Sequence, residues 1–167
     1  LLNSRYPASI SASALIEAAS GLTGQPQAAI ESAAMAMLEE LLILGALRIR
    51  RTPVSAADVV SGLPQALPAV RGASGLVSGV GATANTCNQW HEPVVLTLLE
   101  QSLLPLLDGT HSHDALAEHL EAEVRSDRLR FVKDDKPLTD PSAVREFARQ
   151  QVSLALDGLR RKALLTG

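Results

Sequence analysis

The chemically richest stretch of this chain is Asn88-Gln89-Trp90-His91-Glu92-Pro93. An imidazole beside a carboxylate is the minimal equipment for moving a proton. Neighbouring side chains on extended backbone point to opposite sides, however, so His91 and Glu92 do not converge on one substrate atom. The reading that fits is structural: Trp90 plugs a core, while Asn88 and His91 hydrogen-bond the backbone around them. A second cluster joins His111 and His113 to Asp108, Asp114 and His119, the residue types of a transition-metal site. His119 follows His113 by six residues, which is not ligand spacing on a helix, and no Cys or carboxylate pair completes a tetrahedron. Asp108-Gly109-Thr110 therefore reads as a turn that caps a helix. Gly79-Val80-Gly81-Ala82-Thr83-Ala84 fits the G-x-G-x-x-A pattern of dinucleotide binding. That pattern needs a helix opening at the glycines, and Asn85 to Trp90 with Pro93 is poor helix material. A loop of small residues is the better description. Arg48-x-Arg50-Arg51 and Arg160-Arg161-Lys162 are basic clusters at the ends of long helices, where they complement the helix dipole or touch phosphates. No catalytic, cofactor-binding or metal-ligating residue is assigned in this chain.

The elements that must hold these residues follow from composition. Apolar residues make up 46% of the 167 positions but aromatic ones only 2%, so Leu, Ala, Val and Ile fill the core. Leu and Ala favour helices. The formal net charge of −3 makes nucleic acid an unfavoured partner. The single Cys87 excludes an internal disulfide and suits a reducing compartment, hence a cytoplasmic location. No secretory signal is visible, and no stretch approaches the roughly 20 apolar residues of a membrane span. The chain begins with Leu in mid-pattern, which reads as a piece of something longer.

Ser11 or Ser13 caps a helix over 14–20 that Gly21 stops, and Pro26 opens a longer one. The longer helix carries Ile30, Ala34, Met37, Leu38, Leu41, Leu42 and Leu44, with Gly45 just past its end. Leu47-Arg-Ile-Arg50 alternates like a strand. Residues 52 to about 90 are broken by Pro and Gly yet carry few charges, with short helices expected at 56–61 and around 65–73. Val95, Leu98, Leu99, Ser102, Leu103 and Leu106 make one helical face, and Thr110 or Ser112 caps the next helix, with Leu116, Leu120 and Val124 inward. Leu129 to Val132 is a strand, 134–137 its turn, and Asp140 caps a final helix with Pro141 at its first position. Val144, Phe147, Ala148, Val152, Leu156 and Leu159 form its buried side, and the helix is expected to reach Leu165. Leu38-x-x-Leu41-x-x-x-Gly45-Ala-Leu47 echoes Leu156-x-x-Leu159-x-x-x-Ala163-Leu-Leu165, which suggests a duplicated module. The fold expected is mainly α with a few short strands. It has a winged-helix-like module at 1–52, a Pro/Gly-rich packed connector at 53–92, and a second winged-helix-like module at 93–167.

Residues 86–165 also resemble the C-terminal region of bacterial methyltransferase-regulatory-domain proteins, a group that includes protein-lysine methyltransferases. The resemblance rests on Cys87-Asn88-Gln89-Trp90-His91-Glu92-Pro93, Leu103-Leu-Pro-Leu-Leu-Asp-Gly-Thr110, Pro137-Leu-Thr-Asp140-Pro141 and Leu159-Arg-Arg-Lys-Ala-Leu-Leu165, which agree in order and spacing. Gln89-Trp90 departs from the usual Leu-Arg, and His111 and His113 stand where Arg or Asp is common. The resemblance implies a non-catalytic regulatory or substrate-engaging region. S-adenosylmethionine would be bound by a preceding domain that this chain lacks. The implied partners are that methyltransferase domain and a protein substrate, met at a docking groove between the two modules. A winged-helix DNA-binding module is the alternative.

Overall fold

The structure is a computed structural model that describes residues 2, 6–54, 56–74, 84–133 and 135–166. The chain divides into two compact units, Leu1–Val54 and Ser55–Gly167. The Gly79–Thr83 part of the glycine pattern lies outside the described residues.

In the first unit, α1 (Ala12–Thr23) starts at Ser11, whose Oγ accepts from the Ala14 N–H at 3.1 Å. The helix runs through Gly21 and ends instead at Gly24, which takes φ +68° and donates its N–H to Ser20. A glycine mid-helix weakens the helix without stopping it; the left-handed cap does the stopping. Helix α2 (Gln27–Ile43) follows Pro26. It closes with a Schellman motif: the Gly45 N–H bonds to Leu42 O and the Ala46 N–H to Leu41 O, with Gly45 at φ +68°. The strand expected over 47–50 is not formed, and among the described residues this unit has no strand. A four-residue alternation with no partner strand gives the backbone nothing to pair with.

The second unit runs β1 (Gln65–Ala66), α3 (Pro68–Ser74), β2 (Ala84–Cys87), β3 (Pro93–Leu96), α4 (Leu98–Leu103) and a 3₁₀ turn (Leu104–Leu106). It continues with α5 (His113–Arg125), β4 (Val132–Lys133), β5 (Lys136–Pro137), α6 (Pro141–Arg161) and β6 (Leu165–Thr166). Three antiparallel pairs result: β1 with β6, β2 with β3, and β4 with β5. Several expectations are corrected here. Residues 56–61 form no helix; Ala56 bridges to Thr166 instead. Residues 65–66 are a strand, and the helix begins only at Pro68. Val95 belongs to β3 rather than to the helix, which starts after Thr97.

Leucines fill the centre. Leu103, Leu104, Leu107, Leu116, Leu120, Leu156, Leu159 and Leu164 are fully buried. Helix α6 contributes Val144, Ala148, Val152, Ala155, Leu156 and Leu159, the i, i+3/i+4 stripe that its sequence spells. Helix α5 packs Leu116, Ala117 and Leu120 against it. Phe131 and Phe147 meet edge to face with centroids 5.0 Å apart. Ala66, Val70 and Ala84 join the same cluster, so described residues from 53–92 are part of this core. At the end of α6 the Ala163 and Leu164 N–H groups bond to Arg160 O and Leu159 O, with Ala163 at φ +55°. This is the Schellman ending seen at Gly45, and it is the physical content of the sequence echo between the two long helices.

Candidate functional site

The motif residues of 88–92 and 108–110 gather where residues 163–166 meet residues 64–67. Residues 88–92 form a tight polar turn that links β2 to β3. Asn88 is 4% exposed and organises it. Its Oδ1 accepts from the Trp90 N–H at 2.8 Å and the Glu92 N–H at 3.0 Å, and its Nδ2 donates to Glu92 Oε2 at 3.0 Å. His91 sits at φ +57° with its side chain exposed, and its N–H returns to Asn88 O at 3.0 Å. Glu92 is thus engaged by Asn88, and the imidazole of His91 is directed to solvent. Trp90 is half-buried and stands outside the core cluster, which corrects the expectation that it plugs the core. The turn lies against the chain end: the Gln89 N–H bonds to Ala163 O and Gln89 Nε2 to Leu165 O, each at 3.3 Å.

The second turn is Asp108-Gly109-Thr110. Asp108 Oδ1 accepts from Thr110 N–H at 2.8 Å and Thr110 Oγ1 at 2.6 Å, and stands 3.1 Å from His111 Nδ1. These donors, the Thr110 hydroxyl first, hold the Asp108 carboxyl well below the usual carboxylate range. Gly109 needs its φ of +86°, and its N–H reaches Pro64 O at 3.2 Å. Both turns therefore bond at the β1–β6 pair, where Ala66 N–H bonds to Leu107 O and, just beyond the strands, Leu67 N–H bonds to Leu164 O.

Sequence reading missed an ion pair, Glu100 with Lys162. Thr97 and Glu100 form a reciprocal capping box on α4: the Glu100 N–H bonds to Thr97 Oγ1 at 3.2 Å and the Thr97 N–H to Glu100 Oε2 at 2.7 Å. Glu100 is 3% exposed. Lys162 Nζ contacts both of its oxygens, at 2.7 and 2.5 Å, and also Val95 O at 2.8 Å. Thr-x-x-Glu before an apolar run was the available signal. Arg160 and Arg161 share Asp157, at 2.8 Å each, so Asp157 and Glu100 offset two of the three positive charges of the basic cluster 160–162.

The histidines do not converge. His113 Nε2 lies 2.9 Å from Ser61 O, His119 Nε2 lies 3.3 Å from Ser102 Oγ, and His111 faces Asp108. Among the described residues no three His, Cys, Asp or Glu side chains are grouped to hold a metal. Asp140 and Pro141 stand at the far end of the 21-residue α6, where Asp140 Oδ2 accepts from the Ala143 N–H at 2.8 Å. Pro141 also borders a half-open cleft of about 550 Å³ whose walls include Val124, Leu129, Phe131, Leu138 and Val144. Its residues come from α5, the connection 126–131, residues 137–139 and α6, and no single sequence motif announces it.

The family profile described as "PKMT, C-terminal winged helix domain" matches residues 64–164. The chain belongs to this family. The matched span of the PKMT C-terminal winged helix domain lies wholly within the second unit. Among solved structures, PKMT2 from Rickettsia typhi superposes with a TM-score of 0.76 at 23% identity, over 91% of this chain and 30% of that one. The same protein described in complex with AdoHcy gives a TM-score of 0.76 at 22% identity, with the same coverage. These likenesses establish the fold, and this chain spans 30% of the length of the proteins it matches. No curated protein matches the sequence. No helix among the described residues is long and apolar enough to cross a membrane.

Proposed function

We propose that this chain is a non-catalytic region of a cytoplasmic, S-adenosylmethionine-dependent protein-lysine methyltransferase-like polypeptide. Its role is to regulate the methyltransferase domain or to present a protein substrate to it. The observation that carries this reading is how the motif side chains are used. Asn88, Asp108 and Asp140 all accept hydrogen bonds from their own main chain. Groups fixed this way hold a surface in shape; they are not poised to attack or deprotonate a substrate. PKMT2 is described in complex with AdoHcy, and this reading assigns the cofactor to polypeptide outside this chain. Isothermal calorimetry of the 167-residue chain with S-adenosylmethionine should show no binding, and stoichiometric binding overturns the proposal. Duplex binding is the rival reading, and the ion pairs of Arg160, Arg161 and Lys162 weigh against it. An anisotropy titration decides: tight binding with a steep salt slope would establish a DNA module.

A further inference from the structure

We propose that the half-open cleft between the end of α5 and the start of α6 binds a small amphipathic anion: a medium-chain aliphatic body carrying one carboxylate. The site lies at the far end of α6 from the two turns at the β1–β6 pair, and its occupancy does not depend on the reading above.

The floor of the cleft is apolar. Phe131 and Val144 are buried, and Val124, Leu129 and Leu138 are half-buried along its walls. The Leu138 N–H bonds to Phe131 O at 2.9 Å, which ties the two sides of the hairpin together beneath the opening. A volume of about 550 Å³ falls within the range of small-molecule sites, about 300–1,000 Å³. The thirteen residues that line it are fewer than the roughly 20–30 that a stable protein interface uses on each side. Size therefore favours a small molecule over a second copy of this chain.

Charge selects the head group. The lining holds three arginines and two carboxylates. Arg130 donates to both oxygens of Asp127 at 2.8 Å, and Arg145 Nε lies 3.3 Å from Glu121 Oε1, so these four charges offset one another within the wall. Arg125 is left over. It stands in the last turn of α5, where its charge complements the helix dipole, and its guanidinium has no partner among the described residues. The Thr139 hydroxyl, also in the lining, has none either. Asp140 follows in sequence, but its carboxylate is committed to the Ala143 N–H. An apolar floor with one uncompensated cation and one spare hydroxyl suits an apolar body with a single negative group. A cationic amphiphile would find no unpaired carboxylate in this lining.

A ¹H–¹⁵N NMR titration of the 167-residue chain with octanoate tests this. Saturable shifts should centre on 124–131 and 137–145. Hexanoate, two methylenes shorter, should bind about ten-fold more weakly, since each fully buried methylene contributes about four-fold. Octylamine, with the same body and the opposite charge, should bind about ten-fold more weakly than octanoate, and acetate should not compete. Arg125 is exposed, so Arg125→Gln should leave the spectrum of the free protein folded while weakening octanoate about ten-fold. Octylamine binding as tightly as octanoate, or octanoate binding unchanged in Arg125→Gln, overturns the proposal. Acetate competing at equal concentration overturns it too, because the site would then read only the charge. Shifts that map elsewhere or never saturate do the same, as do cleft resonances that move with protein concentration alone, which would mean that a second copy fills the cleft.

Discussion

Gly158→Ala should destabilise the second unit even though alanine is the better helix former. Gly158 lies inside α6, and a Cβ built there would sit 2.7 Å from Glu100 Oε1, against an ordinary contact of 3.4 Å or more. Glu100 must therefore withdraw by about 0.7 Å. It is not a loose side chain: the Thr97 N–H holds one oxygen and Lys162 holds both. Crowding a packed interior costs about 1–3 kcal/mol, and weakening hydrogen bonds to a charged group adds to that, since each contributes about 1.5–3 kcal/mol. Removing a helical glycine returns about 1 kcal/mol. The net expectation is a loss of about 1–2 kcal/mol. Urea unfolding followed by the single tryptophan, Trp90, reports on this unit directly. A double-mutant cycle gives the decisive sign. With Glu100→Ala in place the obstruction is gone, and Gly158→Ala should then stabilise by up to about 1 kcal/mol. If Gly158→Ala stabilises the unaltered protein as well, the carboxylate swings aside freely and the reasoning is wrong.

Lys162→Met should cost about 2–4 kcal/mol in the same assay, because it leaves the buried Glu100 carboxylate without its counter-charge; Glu100→Gln combined with Lys162→Met should recover part of the loss. The pH profile should carry the mark of Asp108. Its carboxyl is held below the usual carboxylate range by Thr110 and His111, so it contributes stability at pH values above that range. That contribution should disappear as pH falls below about 4 towards the lowered folded-state pKa. Asp108→Asn should flatten this acid limb of the profile, and an unchanged limb would refute the assignment.

The parts of the fold that were readable are those whose signals are local. Asp140-Pro141 marks the start of α6 by a cap and a fixed φ, and Ser112 does the same for α5 without help from distant residues. The Asp108-Gly109 turn is equally local. The β2–β3 pair was hidden because Val94 and Leu96 face inward over only four residues, too few to separate period 2 from period 3.6. The true end of α6 was hidden because Ala163, not glycine, takes the left-handed position. Strand β6 forms only because Gln65 and Ala66 lie beside it. Within the site, Asn88 and Asp108 were legible as backbone-bonding residues. Lys162 on Glu100 was not, since 62 residues separate the partners and only packing brings them together.

The β1–β6 pairing has a bearing on biosynthesis. Gln65 meets Thr166 across 101 residues of chain. A nascent polypeptide halted before residue 163 has no partner for Gln65 and Ala66, nor the Leu164 carbonyl that receives the Leu67 N–H. Translation at roughly 5–20 residues per second makes that interval several seconds long. The unit completes itself only after its final turn has emerged from the ribosome, and until then a leucine-lined interior stays open to chaperones.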